Sequence, residues 1–324
     1  MATTTAPRGP IERPPLNLSG KKNRQATEQI VRYLLIASSL VTVATTVGII
    51  VILLWEAIHF FREVSVLDFL FGTTWTPLFE GSQQSFGVVP LVMGTLMTSL
   101  VAALIALPLG LASAIYLSEV AGERARSFLK PVLEVLAGVP TIVYGFFALT
   151  YITPVLLKPL VSGMGTFNGL SAGIAIGIMA LPTVTSLSED ALRAVPRSLR
   201  EAAYALGATR WETAIRVVVP AAISGVIASF ILAISRAVGE TMIVAVAAGQ
   251  APAGQSGGSS GWWDLTQSMQ TMTGFIAYTF SSDISRQSTA FYSLFGVGLL
   301  LFLMTFTMNL ISQWITNRYR EEYD

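Results

Sequence analysis

The 324-residue sequence contains no cysteine, which excludes a disulfide framework, a thiolate nucleophile and any metal site built on sulfur. Charge is scarce as well. Only 12% of residues are Asp, Glu, Lys or Arg, about half of the roughly 25% usual in soluble domains. A G-x-x-x-x-G-K-[ST] loop is also missing: Gly20, Lys21 and Lys22 lack both the earlier glycine and the following hydroxyl residue. Without that phosphate cradle the chain is not expected to hydrolyse ATP itself. His59 is the one histidine; it falls beside an apolar run, and a packing role is favoured over a chemical one.

Apolar residues are abundant. They make up 52% of the chain, mean hydropathy is +0.63, and the composition is that of an all-α polytopic membrane protein. The N-terminus is polar for about thirty residues before the first apolar run, too long for the charged start of a cleaved signal peptide. The first run is therefore read as a span.

Runs near the ~20 residues needed to cross hydrocarbon occur at 34–55, 88–117, 131–157, 169–187, 217–248 and 288–315. Two are about thirty residues long, and charge decides against splitting them. With six crossings and an internal N-terminus, the inner segments carry sixteen Lys or Arg and the outer loops only Arg62, Lys158 and Arg286. That asymmetry predicts both termini on the cytoplasmic side. The expected organisation is a basic tail over 1–33, one membrane domain over 34–316 with a cytoplasmic loop at 188–216, and a short tail at 317–324. The long runs are expected to be tilted or broken, with a disturbance at Pro108 and Gly110.

Two rows of small residues predict close helix approach. Gly165, Gly169, Gly173 and Gly177 recur every four positions, and Gly225, Ser229, Ala233 and Ala237 do so in the fifth run. Small-xxx-small faces let helices meet in lipid; for the first row packing within this chain is favoured over a subunit contact, and close packing at the second would leave a narrow polar seam. The outer segment 56–87 reads as a partly ordered acidic face with aromatic residues at Trp75 and Phe79. Trp262 and Trp263 suit an outer membrane interface. The stretch QSGGSS resembles an ATPase signature only superficially, because it lies outside and its accompanying motifs are missing.

The stretch AISRAVGET places Arg236 and Glu240 inside the fifth run, four residues apart. On a continuous helix they share a face about 6 Å apart. An unpaired charge at mid-bilayer costs at least about 2.5–3.5 kcal/mol on insertion scales, so such residues pair or face a cavity. A self-neutralising pair is one reading. The other gives Arg236 the role of a planar, permanently charged anion donor, paired with Glu240 between binding events, with Ser235 and Thr241 as nearby hydroxyls.

The inner loop is locally consistent. Pro196 suits a first helical position, Leu199, Ala202, Ala203 and Leu206 share a face, and Gly207 suits a helix stop. Thr209 with Glu212 three residues later suits a capping box that restarts a helix. Two short helices with a tight turn at Gly207 are expected.

Within this loop, Glu201-Ala202-Ala203, three residues, Gly207, then nine residues before VVVP resembles the EAA motif of ABC importer permeases. Val217 and Val219 depart conservatively from its usual Ile and Leu. The stretches LDFLFGTTWTP, LIALPLGLASAIYLSE, LEVLAGVPTIVYGFF and SRAVGET extend the resemblance to PstC-type permeases of phosphate importers, from about residue 64 to the C-terminus. The resemblance implies a type I importer permease fold in a prokaryotic cytoplasmic membrane, with no catalysis and no cofactor in this chain. It implies a homodimeric ATPase that binds ATP and Mg, a related second permease of the PstA type, and an extracytoplasmic phosphate-binding protein. It assigns ATPase coupling to Glu201, Ala202, Ala203 and Gly207, and a translocation path to Arg236, Glu240, Ser235 and Thr241. Membrane lipid is the surrounding medium and no nucleic acid is involved. A sulfate or molybdate permease, an ion-coupled secondary transporter and a membrane scaffold or sensor stay open as alternatives.

Overall fold

The computed structural model describes residues 21–79, 81–254 and 261–318. The first twenty residues of the basic tail, Glu80, the QSGGSS stretch and residues 319–324 lie outside the described residues. The chain divides into two compact units, Met1–Ile52 and Leu53–Asp324.

The first unit holds most of helix α1 (Lys21–Glu63). Its apolar side chains, Leu34, Leu35, Leu40, Val41 and Ile49 among them, are exposed, as suits a helix surrounded by hydrocarbon. The polar residues of this stretch satisfy themselves. Ser38, Ser39, Thr42, Thr45 and Thr46 each donate to the carbonyl four residues back at 2.8–3.1 Å, so no hydroxyl needs water in the membrane.

The second unit begins with the last turns of α1. Phe60 there is fully buried and packs edge-on against Phe69 of α2 (Val66–Phe71) and Phe86 at 5.4 and 5.5 Å between ring centres. A two-stranded antiparallel ribbon, β1 (Trp75–Thr76) and β2 (Ser85–Phe86), pairs Trp75 with Phe86. The segment read as an acidic face is thus ordered by its aromatic side: Trp75 is buried while Phe79 is exposed. His59 joins the cluster's rim, its Nδ1 2.9 Å from the Trp55 carbonyl and its ring stacked on Tyr292.

Helix α3 (Val89–Ile115) passes through Pro108 without interruption and ends in a π-helical turn, Tyr116–Val120. The expected disturbance at Pro108 and Gly110 is therefore displaced toward the end of the run. Gly110 serves close packing instead, since a Cβ there would lie 2.7 Å from the Val184 Cβ. Helix α4 (Glu123–Gly138) is followed by α5 (Thr141–Phe147), which continues as a π-helix over Ala148–Leu157. The two arms meet at 90°, so the run at 131–157 is not one straight span. Pro140, which lacks an N–H and fixes its own φ, sits at the bend.

Helix α6 (Gly169–Ala194) is the centre of the unit. A Cβ on Gly173 would lie 2.6 Å from the Val101 Cβ, and one on Gly177 3.0 Å from the Ile105 Cβ, so this face packs against α3 of the same chain. Gly165 precedes the helix and does not belong to that face. After it come α7 (Arg197–Ala205), α8 (Arg210–Thr213), a π-helical turn at Ala214–Val218, and α9 (Val219–Ala221). Helix α10 (Ile223–Val238) lies against α6: a Cβ on Gly225 would be 2.5 Å from the Ala191 Cβ, the Ser229 and Ser188 hydroxyls are 2.8 Å apart, and Ala233 packs with Ala106, Ala180 and Val184. The narrow seam expected there is present, with the buried Ser188–Ser229 pair as its polar element.

The run at 217–248 is bent by 74° at Ala222 and interrupted again at 239–241 before α11 (Met242–Ala247). Helix α12 (Met272–Ser281), absent from the hydropathy reading, precedes α13 (Thr289–Arg318). Among the described residues four helices are long and apolar enough to cross a membrane, or up to six if each bent pair is one span.

Candidate functional site

Helix α10 stops at Val238 and Gly239 takes its C-terminal cap. The four-residue spacing of Arg236 and Glu240 therefore does not place them on one helix face, and no ion pair joins them among the described residues. The expectation of a mutual pair is corrected on this point: the helix ends between the two residues. Glu240 is buried, and its Oε1 accepts the backbone N–H groups of Met242 and Ile243 at 3.0 and 3.2 Å. A carboxylate at the start of α11 satisfies donors that the helix leaves unmade and suits the positive end of its dipole.

Arg236 stands in the last turn of α10, where a cation is favoured, and its side chain is exposed. Its guanidinium forms no hydrogen bond or ion pair among the described residues. The Ser235 hydroxyl oxygen is buried and unpartnered. Thr241 donates to the Gly239 carbonyl at 3.3 Å, a local turn contact. Thr273 on α12, which sequence reasoning missed, donates to the Glu240 carbonyl at 2.7 Å, and the Met272 N–H reaches the Thr95 hydroxyl of α3 at 3.0 Å. The break at 239–241 is thus held by α11 on one side and α12 on the other. Nothing in the local sequence of 271–273 marks it, because the partner lies some thirty residues away.

The second constellation is the loop after α6. The Gly207 N–H donates to the Tyr204 carbonyl at 2.9 Å and the Ala208 N–H to the Ala203 carbonyl at 3.1 Å, with Gly207 at φ +84°. This pair of bonds is a Schellman motif, the standard left-handed helix stop. Glu212 Oε2 accepts from the Thr209 N–H at 2.9 Å and the Glu212 N–H donates to the Thr209 hydroxyl at 3.3 Å, completing the expected capping box. Pro196 is the N-cap of α7, one place earlier than expected. The shared face is corrected too: Ala203 is buried and Leu199 packs against the cluster that holds Ala114, Leu192 and Val218, but Leu206 caps the helix and is 90% exposed. Glu201 and Ala202 are exposed, as are Tyr204 and Trp211. Large apolar side chains around a rigid exposed turn suit a protein partner.

Behind the turn lie charges the sequence reading did not single out. Arg200 on α7 donates to Glu119 through Nε and Nη2 at 3.2 and 2.9 Å. Glu189 on α6 is 2% exposed and pairs with Arg126, Lys130 and Arg193 at 3.1, 3.2 and 3.4 Å. A carboxylate closing a long apolar run, as Glu119 does, was the available signal. Its partner 81 residues away was not.

Broken apolar helices around a small-residue core, with a capped turn presented at one end, define an all-α membrane permease of the type I ABC importer fold. The chain belongs to the family of binding-protein-dependent transport system inner membrane components, which matches residues 106–321. It is 34% identical over 304 residues to the probable ABC transporter permease protein YqgH of Bacillus subtilis, covering 93% of this chain and 94% of that one. It is 33% identical over 282 residues to the phosphate transport system permease protein PstC of Mesorhizobium japonicum, covering 82% and 81%. Its backbone is similar to a chain of a bacterial alginate ABC transporter solved with an alginate pentasaccharide-bound periplasmic protein, at TM-score 0.61 and 13% identity over 92% of this chain and 99% of that one. That likeness concerns the fold alone.

Proposed function

We propose that this chain is the membrane-spanning permease subunit of an ATP-driven phosphate importer in a prokaryotic cytoplasmic membrane, with both termini cytoplasmic. A separate homodimeric ATPase binds ATP and Mg and docks on the turn formed by Glu201, Ala202, Ala203 and Gly207. A related second permease completes the pore, and an extracytoplasmic phosphate-binding protein delivers the substrate. The relatives named as phosphate permeases support the substrate; the observation that carries the site is the unpaired Arg236 guanidinium at a helix break.

Phosphate passing Arg236 meets a planar donor set that no carboxylate among the described residues occupies. Glu240 acts by fixing the break: its carboxylate bonds to α11 hold the end of α10, and so Arg236, at the level of the interruption. Ser235 and Thr241 are adjacent hydroxyls that can turn toward the anion. The path needs weak binding, so selectivity rests mainly with the external binding protein.

Arg236→Gln and Glu240→Ala, which removes the acceptor for Met242 and Ile243, should each abolish uptake of labelled phosphate while the ATPase still co-purifies with the variant. Normal uptake in both variants refutes the assignment. Competition decides the anion: excess unlabelled phosphate should suppress uptake, whereas suppression by sulfate or molybdate alone would identify another oxyanion permease.

A further inference from the structure

We propose that Arg200 and Glu119 form the joint through which movement of the ATPase-facing turn reaches the substrate path, both acting as positioning residues. The inference rests on the importer reading above. Arg200 directly precedes Glu201, and its guanidinium ties three segments together. Two of its bonds go to Glu119, in the π-helical turn after α3, and the other two go from Nη1 to the Val195 carbonyl at 2.6 Å and from Nη2 to the Leu192 carbonyl at 2.8 Å, at the end of α6. The side chains of Arg200 and Glu119 are only 15% and 6% exposed. A surface ion pair is slack and screened, whereas a forked, largely buried pair fixes both position and orientation.

The turn that carries Glu119 is held from its other side as well, because Arg126 donates both to the Leu117 carbonyl and to Glu189. Displacement of α7 is therefore passed to the end of α3 as well as to the end of α6. That helix is unbroken from Val89 to Ile115 and backed by α6 at Gly173 and Gly177, so it moves as a rod. About 35 Å along it, at 1.5 Å per residue, Thr95 accepts the Met272 N–H, and the next residue, Thr273, holds the Glu240 carbonyl. The ATPase turn and the break beside Arg236 are thus connected through one pair of side chains, one rigid helix and one short hydrogen-bonded segment.

The test uses the whole complex in proteoliposomes, with phosphate uptake and ATP hydrolysis measured on the same vesicles. Glu119→Gln and Arg200→Gln each leave one buried charge unpaired, which can impair folding; the double variant leaves none and decides the matter. The double variant should assemble and hydrolyse ATP within about twofold of wild type, while phosphate moved per ATP falls at least about fivefold, the lower end of typical coupling between sites. Arg200→Lys, which keeps the charge without the fork, should fall between. Uptake and hydrolysis declining in proportion, both staying at wild-type rates, or a double variant that fails to assemble would each overturn the proposal, since the pair would then serve docking, nothing, or folding. A wild-type complex without phosphate-dependent hydrolysis refutes the importer reading and this inference with it; a coupled wild type beside a coupled double variant refutes the inference alone.

Discussion

Gly207 offers a clean separation of backbone strain from side-chain crowding. Its φ of +84° lies in the left-handed region, yet a Cβ added there would have nothing within 4 Å. Alanine at this position is opposed only by its own conformation, at a cost of about 1–2 kcal/mol. If the ATPase recognises the turn as it stands, that strain must be met on docking, and affinity for the ATPase should drop by about five- to thirtyfold, since 1.4 kcal/mol is a factor of ten. Asparagine, which tolerates this region, should lose less than alanine, and valine, β-branched at Cβ, should lose more. Titration of purified ATPase onto nanodiscs containing each variant with the second permease measures the series. The reasoning fails if Gly207→Ala binds as tightly as wild type, or if Asn is worse than Ala, because either result would show that the ATPase senses side-chain bulk or a different backbone.

Two further outcomes follow from packing. Gly225→Leu, which forces a side chain toward Ala191 at a 2.5 Å approach, should destabilise the permease by about 1–3 kcal/mol in thermal unfolding in detergent. Gly48→Leu, with nothing within 4 Å, should stay within about 0.5 kcal/mol of wild type, and equal effects at the two sites would refute the packing account. Tyr144→Phe removes the hydrogen bond from the Tyr144 hydroxyl to the Leu136 carbonyl, 2.8 Å long, which spans the 90° bend between α4 and α5. A loss of about 0.5–1.5 kcal/mol is expected, and an unchanged melting temperature would show that Pro140 alone sets the bend.

What was legible in the sequence was whatever neighbouring residues decide among themselves. The Gly207 stop and the Thr209–Glu212 cap depend on bonds spanning a few residues, and both form as expected. The small-residue faces were legible because period alone reveals them, and the structure supplies the partner helices. The place of a bend was not legible. Hydropathy is averaged over a window and reports that a segment is apolar, so 131–157 read as one span despite its 90° bend, and the length of 217–248 gave the expectation of a tilted or broken helix without locating the bend at Ala222 or the interruption at 239–241. Helix α12 was missed for the same reason, being ten residues long and too short for a crossing.

The pair in AISRAVGET shows how little a four-residue spacing decides once the helix stops inside it. The spacing of Arg236 and Glu240 implied an ion pair only if the helix continued, and Gly239 within that spacing was the reason to doubt continuity, since glycine is the usual residue beyond a helix end. With the helix stopped, the two side chains take different work. Glu240 turns to the backbone of α11, where its carboxylate is matched by amide donors, and the Arg236 guanidinium has no carboxylate within ion-pair distance among the described residues. An unmatched guanidinium in an apolar segment is costly unless an anion or water reaches it. The break therefore strengthens the case for Arg236 on the anion path, and it gives Glu240 a role that a swap to glutamine tests directly: the amide oxygen can still accept from Met242 and Ile243, so any loss of uptake in Glu240→Gln measures the charge.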